Sequence, residues 1–218
     1  VQWLDSDDLL SKNKLMSQIR DLKFKNQNTL ATCAWSYFLN NSGQEEIKSN
    51  FPVFRSFAHM QQFLDVLAIS GGFFPSHAYL LASALVKKTG GWREDLIINQ
   101  DGEFFSRIFL IVDEIVFSKN AKVYYRKNMA DNISYLGNIE KAEQAIYSWK
   151  LIANNLKPKF GDNLKLVRIS KKYLKLRLEE KFPENLEKHI DFFKEDKILD
   201  KPMFPRLLRR VQKYLLKK

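Results

Sequence analysis

Val1–Leu4 opens the chain as four apolar or strand-favouring residues that run straight into Asp5, Ser6, Asp7 and Asp8. This is the pattern of a short buried strand with carboxylates at its carboxyl end. Leu15, Ile19 and Leu22 then recur at helical spacing, which predicts a helix with Ser11 as its N-cap. The stretch NTLATCAWSYFL, residues 28–39, is rich in Thr and aromatics and reads as a strand that turns at residues 40–43. A helix is favoured between Ser56 and Leu67. No charged residue occurs from Val66 to Val86, which raises the question of a membrane span. Gly71, Gly72 and Pro75 interrupt that run, so it reads instead as a buried strand or loop followed by a core helix. This helix runs through SHAYLLASALVKK and closes at Gly90, the usual order of basic last turn and C-terminal glycine. Another helix follows Gln100, with Phe104, Phe105, Ile108 and Phe109 on its apolar side. Glu114–Arg126 reads as a hairpin folded around SKNA, residues 118–121.

From about Asn138 the pattern becomes helical throughout, with breaks at Pro158, Gly161 and Pro183. The expected organisation is an α/β body over residues 1–137 and a helical appendage over 138–218. Composition sharpens this only at one end. The formal net charge is +11, and residues 201–218 hold seven basic and no acidic residues. Leu207, Leu208, Val211, Tyr214 and Leu215 share one side of that segment, giving a basic amphipathic helix. Such a helix suits an anionic membrane surface, a nucleic acid, or simply the solvated end of a helical domain. Nucleic acid is the less favoured partner, because only Tyr214 interleaves a stacking aromatic with the basic residues. The single Cys33 excludes an internal disulfide and fits a reducing compartment such as the cytoplasm.

Two stretches carry candidate chemistry. Along a strand or tight loop, residues i and i+2 point the same way, so Asp5 and Asp7 can converge while Asp8 turns aside. Paired carboxylates repel unless a cation or proton lies between them, and hard oxygen donors suit Mg²⁺ or Mn²⁺. The alternative is that Asp7 or Asp8 merely caps the following helix. The second stretch is TGGWREDLIINQDGEFFSR, residues 89–107. Gly90 and Gly91 permit a sharp turn, and Trp92 offers a flat apolar face on which a sugar can stack. Asp101 stands at a helix N-terminus beside Gln100, where it is either a functional carboxylate or a cap, and Arg107 reads as a surface residue. His59, His77 and His189 have no metal-ligand spacing and read as surface or core histidines. There is no P-loop, no GxGxxG and no GxSxG.

Taken in order, the DSDD strand end, KTGGW, QDGEFFSR and VYYR with Ser134 downstream resemble the family 2 glycosyltransferases of GT-A fold. The resemblance covers Val1 to about Tyr135. It implies a GT-A-like mixed sheet flanked by helices, and a transferase that moves a sugar from a nucleotide-sugar to a glycan or lipid-linked acceptor. Asp5 and Asp7 look like the family's DxD pair, which holds Mn²⁺ or Mg²⁺ on the donor diphosphate, with Asp8 auxiliary. Asp101 matches the family's general base, and Gln100 stands where a Glu is usual. Gly91 and Trp92 resemble the turn that lines donor sugar and acceptor. Arg126 is similar to a basic position near the diphosphate, while Asn128 and Met129 stand where some relatives carry a metal-binding His. A single base without a covalent nucleophile implies inversion, and a role in surface polysaccharide synthesis at the inner face of the membrane follows. The family grips its nucleoside with strands that precede the DxD strand. The expectation is therefore that about 80 to 100 further residues lie upstream in the native protein, and that these 218 residues alone are inactive.

Overall fold

The computed structural model describes residues 1–38, 51–126 and 136–194, and the backbone of 45–46. The predicted turn at 40–43, Asn128, Met129, Ser134 and the basic segment 202–218 lie outside the described residues.

The body is built on one mixed four-stranded sheet in the order β1-β4-β2-β3. Strand β2 (Thr29–Phe38) forms as the sequence predicts and is almost entirely buried, as a strand flanked on both sides must be. Strand β4 (Glu114–Arg126) runs parallel to it, from Thr29 opposite Glu114 to Phe38 opposite Arg126. The expected hairpin is thus a single 13-residue strand. Residues 118–121 do not reverse the chain. They form an irregularity that steps the register from Cys33 opposite Ser118 to Ala34 opposite Lys122. The short β1 (Leu9–Leu10) pairs antiparallel with β4, and β3 (Glu45–Glu46) antiparallel with β2. Val1–Leu4 is not a strand of this sheet. Val1 instead exchanges backbone hydrogen bonds with Leu81.

Helix α1 (Lys14–Leu22) departs most from expectation. Its N-cap is Asn13, and Ser11 bonds to the backbone of Lys122. The helix buries Lys14, Ser17 and Gln18, while Met16 and Ile19 are 72% and 57% exposed. The reason lies in the irregular segment that it covers. His77, Ala78 and Tyr79 are buried off the regular sheet, and their carbonyls need donors. Gln2 donates to His77 O, Gln18 and Cys33 Sγ to Ala78 O, and Lys14 Nζ to Tyr79 O. Satisfying buried carbonyls outweighs burying a few aliphatic carbons.

Helix α2 spans Met60–Ile69. The uncharged run ends that helix, crosses Gly71 and Gly72, makes a 3₁₀ turn at Ser76–Ala78, and enters α3 (Ser83–Thr89). The long helix expected from Ser76 to Lys88 is therefore only its last two turns. Among the described residues no helix is long and apolar enough to cross a membrane. Helix α4 (Gln100–Ile111) forms as predicted, with Phe104, Phe105, Ile108 and Phe109 buried.

Four helices follow: α5 (Ile139–Phe160), α6 (Lys165–Lys181), α7 (Pro183–Lys188) and α8 (Ile190–Phe193). Pro158 does not break α5. It sits in the last turn, where the helix ends at Gly161 with φ of 77°. Ile152, Leu156, Leu166 and Val167 join Leu30, Phe63, Phe104 and Ile115 in one buried cluster, so these helices complete the core of the sheet. A second cluster forms around Ile146, Leu174, Leu178 and Phe193.

Candidate functional site

The acidic stretch is a tight turn, with Asp8 N donating to Asp5 O at 3.1 Å. Its carboxylates divide into two kinds. Asp8 is buried, and its Oδ1 accepts the backbone N–H of Arg126 at 2.7 Å. Asp8 Oδ2 lies 3.0 Å from His77 Nδ1, but the pair is not aligned as a hydrogen bond. Among the described residues, Asp8 Oδ2 and both ring nitrogens of His77 have no hydrogen-bond partner. Burial lifts the Asp8 carboxyl to about 6, helped by the charges of Asp7 and Asp5 and opposed by Arg126. Burial lowers His77 to about 4, and nearby Lys14 adds to the effect, so the imidazole is neutral at pH 7. Asp8 is thus an internal brace of the turn and caps no helix. Its partner His77, which carries no sequence signal, stacks on Tyr125 at 6.1 Å and 8°.

Asp5 and Asp7 stay at the surface side of the turn. Asp5 is exposed as a residue, yet the protein around its carboxyl raises its pKa, and the charge of Asp7 raises it further. This mutual repulsion is what a cation relieves. Among the described residues no group of three or more His, Cys, Asp or Glu side chains is arranged to hold a metal. Asp5 and Asp7 are nevertheless two hard oxygen donors on one turn, the residue types that could hold a divalent cation. Arg126 fixes the turn, its Nε donating to Asp7 O at 2.5 Å while its guanidinium lies 4.5 Å over Phe38.

The second stretch is folded against the first. Trp3 meets Trp92 edge to face at 5.7 Å, and Trp92 stacks on Phe104 at 4.5 Å and 16°. One face of the indole is thereby occupied and Trp92 remains half-buried. Gly90 and Gly91 both take φ of 78°, the left-handed region that favours glycine. Arg107 is no surface residue. It forms a bidentate pair with buried Glu103 at 2.9 Å and donates to Thr89 O and, at 2.6 Å, to Gly91 O. The i,i+4 spacing of Glu103 and Arg107 was the available signal for this pair.

Asn99, at φ of 58°, is the N-cap residue of α4 and turns the chain into the helix. Gln100 folds back to donate to Leu96 O, so its side chain serves the loop. Asp101 lies in the first turn, where its Oδ1 accepts Gly102 N at 2.8 Å. Desolvation raises its pKa above the ordinary value, its hydrogen bonds oppose this, and the charge of Asp5 raises it further. Asp5 and Asp101, 96 positions apart in sequence, therefore lie within electrostatic reach of each other. Tyr125 senses the same set, its phenol pushed up to about 12 by burial first and then by Asp8, Tyr37, Asp101 and Asp5. The acidic turn, Trp92, Asp101 and Arg126 thus form one neighbourhood at the end of β4. It gathers the carboxylates of Asp5 and Asp7, the partly buried carboxylate of Asp101 and the half-buried indole of Trp92.

No protein-family model matches the sequence, and no curated protein matches it. Among solved structures the fold is similar to that of S. aureus TarS, residues 1–349, in complex with UDP-GlcNAc. The two share 16% identity at a TM-score of 0.57, over 87% of this chain and 52% of TarS. The chain thus spans about half the length of that neighbour, and its architecture is a GT-A-like α/β fold, a mixed sheet flanked by helices with further helices at the C-terminal end.

Proposed function

We propose that this chain belongs to a family 2 glycosyltransferase that transfers a sugar from a nucleotide-sugar, with inversion, to a glycan or lipid-linked acceptor. The observation that carries the reading is that the charge of Asp5, in the acidic turn, is felt by Asp101 at the start of α4, while Trp3 next to that turn packs on Trp92. The likeness to a structure holding UDP-GlcNAc supports a nucleoside diphosphate sugar as donor. Residues 1–137 make the transfer body in this reading, and 138–218 an addition to it whose residues 201–218 hold seven basic and no acidic side chains.

Asp5 and Asp7 would hold Mn²⁺ or Mg²⁺, which supplies charge neutralisation for the departing diphosphate. Arg126 keeps their turn in place. Asp101 accepts the proton of the acceptor hydroxyl as its oxygen bonds to the anomeric carbon and the bond to the diphosphate breaks. A raised pKa makes Asp101 a stronger base than a free aspartate. Trp92 bounds the space where sugar and acceptor meet.

The test is transfer by the full-length protein from a panel of uridine and guanosine diphosphate sugars with Mn²⁺. Asp101→Asn is expected to lose about 10²- to 10⁴-fold in kcat and to keep donor binding. Asp7→Ala is expected to lose Mn²⁺-dependent donor binding. Full transfer by Asp101→Asn would remove the base assignment. Surface polysaccharide synthesis on a lipid carrier at the cytoplasmic leaflet fits the basic segment, where each Lys or Arg near an anionic surface contributes roughly 1 kcal/mol. Full-length protein is expected to sediment with phosphatidylserine vesicles and to lose this on deletion of 202–218. Equal sedimentation without the segment would refute the membrane role.

A further inference from the structure

Helix α5 contributes nothing to the acidic turn, to Trp92 or to Asp101 directly, and its sequence carries no motif. Two of its polar residues nevertheless reach both turns of the site. Ser148 and Asn155 are seven positions apart, about two helical turns, and so lie on one side of the helix.

Asn155 Nδ2 donates to Glu103 Oε1 at 3.1 Å and to Ser106 Oγ at 2.9 Å, and Ser106 in turn donates to Glu103 O at 2.6 Å. Glu103 is only 2% exposed, so its carboxylate depends on Asn155 and on Arg107. The guanidinium, held along its Nε–Nη2 edge by Glu103, directs Nη1 at Thr89 O and Nη2 also at Gly91 O. The hydrogen bonds run without a gap from α5 to the glycine turn that presents Trp92. Ser148, fully buried, accepts Asn99 Nδ2 at 3.1 Å and donates to Ala145 O at 2.9 Å. The Asn99 carboxamide fills the space beside Gly102, where any Cβ would collide with it. A left-handed Asn with its carboxamide anchored on Ser148 stands where α4 begins, directly before the turn that carries Asp101.

We propose that Asn155 and Ser148 are positioning residues, through which α5 sets the placement of the Gly90–Trp92 turn and the Asn99–Asp101 turn relative to each other. The kinetic part of this rests on the transferase reading. The structural part does not. Neither residue is placed against substrate. Their effect is on geometry, and a displacement of about 1 Å at a reacting centre can cost about 10²-fold in rate.

The test is hydrogen exchange on the full chain with Asn155→Leu and Ser148→Ala, the second a nearly volume-neutral change that keeps the fold within reach. Asn155→Leu is expected to speed exchange in residues 89–92 by roughly 10-fold or more, and Ser148→Ala in 99–102, with the α6 amides near Leu174 and Leu178 protected as before. In a transfer assay Asn155→Leu is expected to lower kcat by about 10- to 100-fold with donor KM little changed. Unchanged exchange at both turns, or a uniform acceleration over the whole chain, would overturn the proposal, as would a loss seen in KM alone. If wild-type protein transfers no sugar from any donor, the transferase reading fails and the exchange pattern still decides the role of α5.

Discussion

Asp101 carries two opposite consequences of one raised pKa. Its folded-state value lies above the ordinary 3.8, because desolvation and then Asp5 disfavour the charged form. The folded chain therefore binds that proton more tightly than the unfolded chain. The stability gained from it is present below the ordinary value and lost as pH rises through the folded one. Basicity runs the other way, since only the ionised carboxylate accepts a proton. The acid limb of kcat/KM is expected above pH 3.8, the ordinary value. At pH 7 Asp101→Asn is expected to raise the urea midpoint while lowering transfer by about 10²- to 10⁴-fold, the trade common at sites that hold strained charge. A lower midpoint would show that the carboxylate stabilises the fold. The residue types of Asp5, Asp7, Trp92 and Asp101 were legible in the sequence because their chemistry is intrinsic to them. His77, Asn155 and Ser148 were not, since a His, Asn or Ser acquires its role only from what packs beside it.

Elements followed the sequence wherever one interaction dominated. Strand β2 and helix α4 bury apolar faces, so periodicity named them. Helix α1 does the reverse, because its polar face serves carbonyls that belong to residues 77–79, a need no local pattern records. The segment 114–126 gave a hairpin signal from SKNA, yet parallel pairing with β2 on both sides of residues 119–121 holds it as one strand. Besides the apolar cluster they share, α7 and α5 are tied through one carboxylate. Burial would raise the pKa of Glu143, but hydrogen bonds from His189, Lys188 and Asn185 outweigh it and hold the group at about 2. His189 lies 2.7 Å away and Asn185 donates at 2.7 Å. A depressed carboxylate contributes stability that is present above its ordinary value, 4.5, and lost as pH falls through about 2. Exchange in residues 183–193 is therefore expected to accelerate between those limits, and Glu143→Gln is expected to remove that pH dependence. An unchanged acid response in Glu143→Gln would assign the loosening to another group.

At the scale of the molecule, the helices after residue 138 finish the core of the sheet. Ile152 and Leu156 of α5 lie in the same cluster as Leu30 of β2 and Ile115 of β4. Leu156 is 1% exposed, and Leu156→Ala is expected to cost about 2–5 kcal/mol. One cooperative transition is expected, followed alike by Trp35 in the sheet and Trp149 in α5 when each is the sole tryptophan retained. Two separate midpoints would show that sheet and helices unfold as independent units. The shared core gives α5 a rigid seat from which Asn155 and Ser148 can reach the site. By itself the sequence determined the α/β class, the central strand, the apolar face of α4 and the clustering of carboxylates at residues 5–8, because periodicity and side-chain chemistry are local properties. Only the tertiary structure decided that Asp5 feels Asp101, that α1 turns its polar side inward, and that a helix without a motif braces both turns of the site. These follow from which buried polar groups meet which donors, and that is settled across distances in sequence that local pattern does not span.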